Sequence, residues 1–197
     1  MKKGDATRAR ILDEAARQAA VRGLQSVSLH DVADGVGLSK SGLFKHFDSK
    51  EAMQMAVLNQ TLDRFVDFIW APCADLPAGR AKLEAIFERW LDWAEVENVA
   101  GGCLIVAASI ELDDQPGPLR DLLLMRQKRW TATLAREVRT LRDPPVPDDE
   151  AEIAVFQMKS FILGHNDMRR LLRDDGARRA AKAAFDGLMD RLAAPPL

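Results

Sequence analysis

The chain has 197 residues, of which 47% are hydrophobic and 29% charged, with a formal net charge of −2. That is enough apolar material for one or two compact units, and no run approaches the roughly 18 uninterrupted apolar residues of a membrane span. Two cysteines, Cys73 and Cys103, without CxxC spacing, argue against a disulfide framework of the secreted kind and read as small buried hydrophobes.

The charge is unevenly placed. Residues 1–50 hold nine basic and six acidic side chains, a surplus of three, which leaves −5 for the remainder. A basic start on an acidic body suits a DNA-facing N-terminal segment, although the surplus is modest. The basic opening, MKKGDATRAR, lacks the apolar core of a secretory leader, so a cytoplasmic protein without a membrane partner is expected.

Strand signals are nearly absent, and the abundance of Ala, Leu, Arg, Asp and Glu predicts an all-α protein of about nine helices. The first helix is expected over Thr7–Arg22, with Ile11, Ala15 and Ala19 forming its inner stripe and Gly23 ending it. Ser28 caps a short second helix that turns Val32 and Ala33 inward and is expected to stop at Gly35, with Gly37 following. Ser39 caps a third, whose buried face carries Leu43 and Phe47 and whose outer face carries Lys40, Ser41, Lys45 and His46. Two short helices about a tight turn, with hydrogen-bond donors and no carboxylate on the second, have the layout of a helix-turn-helix facing a polyanion.

A fourth helix should start at Ser49 and run through Met53, Val57, Phe65 and Ile69 until Pro72 stops it. A fifth is expected over Arg80–Glu97, with a stripe of Leu83, Ile86, Phe87, Trp90 and Ala94, followed by a break at 98–102. The segment Cys103–Leu112 is almost wholly apolar and should be enclosed on most sides. After the turn at Asp113–Pro118, long helices are expected over Leu119–Leu141, Asp149–Leu172 and Gly176–Leu192, with a stiff proline-rich break at 144–147.

In order along residues 7–60, Ser28, Val32, Ala33, Val36, Gly37, Leu38, Ser39, Leu43, Phe44, His46, Phe47, Lys50 and Glu51 follow one spacing pattern. This segment resembles the DNA-binding domain of the TetR family of transcriptional regulators. Two departures stand out. Phe44 occupies the usual tyrosine position, which removes a hydroxyl that would reach a phosphate, and Ser41-Gly42 replaces the usual small-residue order. The run from Gly102 and the last two helices resemble the effector domain of one family subgroup, which extends the likeness to nearly the whole chain.

The resemblance implies a helix-turn-helix domain at 1–48 and a ligand-binding and dimerisation domain at 49–197, connected by the helix at 49–71. It places Lys40, Ser41, Gly42 and Lys45 towards base edges, and Ser28, Ser39, Phe44, His46 and Lys50 towards phosphates. It implies a homodimer through the last two helices, with Phe156, Phe161, Leu163, Leu171, Phe185, Leu188 and Leu192 supplying the apolar contact and Gly164 a close approach. The implied function is a ligand-responsive regulator of a double-stranded operator, most often a repressor, in which effector binding tilts the fourth helix.

Candidates for the effector site are Phe87, Trp90, Trp93, Cys103, Met125, Trp130 and His165. Large apolar surface with few polar groups points to a hydrophobic or aromatic small molecule, yet a bundle core has the same composition. The competing reading is a helical small-molecule-binding protein or enzyme with no DNA role. Against it, the sequence holds no G-x-S-x-G, H-E-x-x-H or Cys–His signature, so no catalytic residue is expected. Residues 37–42 have Walker glycine spacing, but Leu43-Phe44 follows where Lys-Ser/Thr is required. His30, His46 and His165 are scattered, so neither a metal nor a cofactor is expected.

Overall fold

The computed structural model describes residues 3–96 and 102–194, and nine α-helices and no strand occur among them. In chain order these are α1 (Lys3–Arg22), α2 (Leu29–Val36), α3 (Lys40–Phe44), α4 (Lys50–Ile69), α5 (Arg80–Val96), α6 (Leu104–Glu111), α7 (Pro118–Arg139), α8 (Asp148–Arg170) and α9 (Ala177–Ala193). A short 3-10 turn at Ala71–Cys73 follows α4. The predicted break at 98–101 and Glu97 lie outside the described residues. By packing, the described residues divide into two units: 3–65 with 102–125, and 66–96 with 126–194. This grouping differs from a division at residue 48, because most of α4, all of α6 and the start of α7 pack with the first three helices.

In the first unit, local chemistry sets the helix ends. Ser28, Ser39 and Ser49 each accept a backbone N–H with Oγ, from Asp31 at 3.1 Å, Gly42 at 3.1 Å and Ala52 at 3.0 Å. Helix α1 begins at Lys3, four residues before the expected Thr7, and Asp5 in its first turn complements the positive end of the helix. Helix α2 runs through Gly35 and stops at Gly37, whose φ of +69° is the left-handed cap that ends it. Gly35 serves another purpose. A Cβ there would lie 2.5 Å from Glu14 Oε1, so the missing side chain lets α1 pack closely.

Gln18, buried on α1, donates to Asp31 O at 3.0 Å and so ties α1 to α2. Ile11, Leu24, Val32, Leu43, Phe47 and Met53 close the core of this unit. Helix α6 departs from expectation. Leu104, Ile105 and Ala108 are buried, but Ile110 is 71% exposed, because a helix of eight residues has one face against its neighbours and its outer face open.

In the second unit, α5, the later part of α7, α8 and α9 enclose an aromatic core. Phe87 and Phe185 stack with centroids 4.1 Å apart and planes within 5°, and Phe161 meets Phe87 edge-on at 6.5 Å. Two charged groups anchor the packing. Lys82 Nζ lies 3.4 Å from Glu137 Oε2 and donates to Ala74 O at 3.1 Å, while Arg178 bridges Glu88, Asp92 and Glu95 at 2.7, 2.9 and 3.1 Å.

Candidate nucleic-acid interface and ligand-site residues

Helix α3 is a single turn and a half, held by Leu43 and Phe47 in the core and by the Ser39 cap. Its remaining surface is exposed: Lys40, Ser41 and Phe44 on the helix, and Lys45 just past its end. No acidic residue lies in α3. Lys45 and His46 therefore sit in the turn after the helix, not on it, which corrects their expected place on a longer helix. His46 is half-buried, and Lys50 is exposed at the start of α4.

The capping serines have a second capacity. Each spends one oxygen lone pair on its helix, and a serine hydroxyl retains a hydrogen to donate outward. At Ser39 that hydroxyl is 3.1 Å from Ser41 Oγ, so the two form a linked pair. Gly42 has a packing reason as well. A Cβ there would lie 3.2 Å from Ser39 Oγ, crowding the cap. Phe44 presents an exposed ring with no polar atom. Two further cations escaped the sequence reading. Arg8 lies over the Phe47 ring at 4.8 Å, and Arg10 donates to Val36 O at 3.2 Å, which brings positive charge from α1 to the helix-turn-helix. Neither contact has a local sequence signal.

The seven ligand-site candidates do not all fall together. Phe87, Trp90, Trp93, Trp130 and His165 are buried in the second unit, whereas Cys103 and Met125 belong to the first. Met125 is 58% exposed, and Cys103 is the buried N-cap residue of α6. Trp90 meets Trp130 edge-on at 5.5 Å, Trp93 tilts against Phe68 at 5.8 Å, and one face of Phe87 is committed to Phe185.

His165 is 1% exposed, with Nε2 3.1 Å from Glu95 Oε1. Burial pushes the imidazole below its ordinary value, against the opposing pull of the Glu95 hydrogen bond. A neutral ring then donates Nε2–H to Glu95 and leaves Nδ1, which has no protein partner, as a buried acceptor. A separate cavity of about 430 Å³ opens between α7 and α8, lined by Thr131, Ala135, Glu152, Val155, Phe156 and Lys159 among others. None of the seven candidates lines it. Burial lowers the Lys159 ammonium pKa there.

Residues 79–185 match the family described as "Tetracyclin repressor-like, C-terminal domain", and residues 11–57 match "Bacterial regulatory proteins, tetR family". The chain belongs to the TetR family. Among relatives of this TetR-family chain, the HTH-type transcriptional repressor KstR2 of Rhodococcus jostii is 36% identical over 83 residues, 40% of this chain. That match spans only 39% of the relative's own length. A TetR transcriptional regulator from Chloroflexus aurantiacus shares the fold at a TM-score of 0.82 and 24% identity, covering 98% of this chain and 96% of that one. A structure of AibR "in complex with isovaleryl coenzyme A and operator DNA" aligns at a TM-score of 0.71 and 20% identity, over 96% of this chain and 99% of that one. Among the described residues, no helix is long and apolar enough to cross a membrane.

Proposed function

We propose that the chain is a ligand-responsive DNA-binding transcriptional regulator. It binds an operator as a homodimer in the cytoplasm, acts as a repressor, and carries out no catalytic step. The observation that carries this reading is the exposed surface of α3 and its flanks. Lys40 and Ser41 on α3, which carries no carboxylate, and Lys45 and Lys50 beyond its end offer donors to a polyanion. Lys40, Ser41 and Lys45 face base edges, with Gly42 keeping the cap clear, while Ser28, Ser39, His46 and Lys50 hold phosphates and Phe44 packs against the backbone. The likeness to KstR2, a transcriptional repressor, supports repression, and the AibR complex supports a small-molecule effector with operator DNA.

Burial changes the expected dimer face. Phe185, Leu188 and Leu192 are buried within their own chain, so they are core and not contact residues. An apolar stripe cannot tell the two apart. Phe156, Leu163 and Leu171 are exposed, and Ile153 joins Phe156 and Leu163 on one side of α8 at i, i+3 and i+10. Gly164 on the same helix has open space where a Cβ would stand. Helix α8 opens with Asp148, Asp149 and Glu150 and closes with Arg169 and Arg170. An antiparallel pairing with a second copy sets acidic ends against basic ends and covers the stripe.

The effector is an apolar or aromatic small molecule taken up by the part of the chain that holds Phe87, Trp90, Trp93, Trp130 and His165. Its binding shifts the population between operator-competent and released forms. Fluorescence anisotropy with a labelled duplex from the intergenic DNA upstream of the gene tests the reading. Saturable binding that weakens steeply with salt and exceeds binding to a random duplex of equal length is expected. Equal affinity for both duplexes overturns it.

A further inference from the structure

Only the residues from Gly23 to Ser28 separate α1 from α2, and this turn is gripped by side chains from two other helices. Glu111, the last residue of α6, accepts the backbone N–H of Leu24 at Oε2 and of Gln25 at Oε1, both at 2.7 Å. Gly23, at φ +90°, leaves room for that carboxylate, since a Cβ there would lie 3.1 Å from Glu111 Oε1. From α4, the buried Gln54 amide donates to Leu24 O at 2.8 Å and lies 3.3 Å from Gln25 O. Gln25 Nε2 also donates to Gln115 Oε1 at 3.1 Å, just beyond α6. Side chains of α6 and α4 thus satisfy the backbone N–H and carbonyl groups of Leu24 and Gln25.

Glu111 stands where a carboxylate is locally unfavourable. The last turn of a helix carries a partial negative charge, which suits a cation, and the rest of α6 is apolar apart from Ser109. Two charge-assisted hydrogen bonds offset that cost. One planar carboxylate holds two consecutive N–H groups, so a shift of α6 along its axis either carries the turn with it or strains these bonds. Helix α2 begins immediately after the turn, and α3 packs against α2, with Val32 and Leu43 buried.

We propose that Glu111 is a positioning residue for operator recognition, whose carboxylate sets the α2–α3 pair relative to α6. The inference rests on the DNA-binding function proposed above. It assigns Glu111 no contact with DNA.

The test uses the full chain, an operator selected by the wild type from random duplexes, and a random duplex of the same length. Glu111→Gln keeps the shape but turns an amide NH2 towards one of the two N–H groups. Operator affinity is expected to fall at least tenfold, with random-duplex affinity unchanged within twofold and the salt dependence of operator binding kept, since no phosphate contact is lost. Glu111→Asp, which keeps the charge but is too short to reach both N–H groups, should show the same loss of discrimination if the glutamine variant folds poorly. A parallel weakening on both duplexes marks a merely structural role and overturns the inference, as does unchanged operator affinity. If the wild type selects no sequence, the DNA-binding reading fails and this inference with it. A wild type that selects an operator, beside variants that discriminate equally well, sinks this inference alone.

Discussion

Replacing Phe156 with alanine separates dimerisation from folding. The ring is 72% exposed in the single chain. A phenylalanine offers about 200 Å² of surface, so roughly 140 Å² of this ring is open to a partner. At about 25 cal/mol per Å², full coverage is worth around 3.5 kcal/mol per ring. Interfaces return only part of that figure. If half is realised, and both rings of a two-fold contact are lost, the dimer weakens by about 3.5 kcal/mol, or roughly 300-fold in its dissociation constant. Sedimentation velocity across a dilution series reads this directly, while thermal unfolding at low concentration should show the isolated chain unchanged. Phe185→Ala is the opposite case. Its ring is 1% exposed and stacked on Phe87 at 4.1 Å, so truncation should cost the fold about 3–5 kcal/mol. A Phe156→Ala chain that dimerises as tightly as the wild type would refute the reasoning.

Three further outcomes are expected. Lys50→Ala should weaken binding to every duplex and reduce the slope of log affinity against log salt by about one, whereas Lys40→Ala or Lys45→Ala should change the sequences preferred; anisotropy titrations at several salt concentrations distinguish them. Gly164→Leu should raise helix stability by up to about 1 kcal/mol in the single chain yet weaken the dimer, a pair of opposite signs that calorimetry and sedimentation together can read. His165, with its pKa lowered by burial, stays neutral in the folded chain while the unfolded chain takes up a proton below its ordinary value of 6.5. Stability is therefore complete above that pH and declines as pH falls from 6.5 towards the folded value; His165→Gln should flatten the decline of the melting temperature between pH 6.5 and 5.

The helix-turn-helix was legible because its determinants are local. Three serine caps, a left-handed glycine and two inward-facing pairs lie within about twenty residues, and each acts on a neighbour. What escaped the sequence is non-local or depends on partners. Glu111 grips a turn 87 residues away, and the Gly35–Glu14 approach depends on how α1 crosses α2. Apolar stripes on α8 and α9 read alike, yet Phe185, Leu188 and Leu192 face their own core and Phe156 and Leu163 face outward. Trp90, Trp93, Trp130 and Phe87 were readable as buried, but Met125, equally apolar, is exposed. Hydrophobicity reports a preference for burial and is silent about which surface supplies it.

The most direct test of the central claim is a selection of duplex DNA from a random pool by the full-length protein, repeated with a Lys40→Ala, Lys45→Ala double variant. The wild type should enrich an inverted repeat whose half-sites are about one helical turn apart, or a multiple of it, as two α3 helices of a dimer require, and the double variant should enrich a different sequence or none. Enrichment of no sequence by the wild type, or of the same repeat by the double variant, would contradict the account.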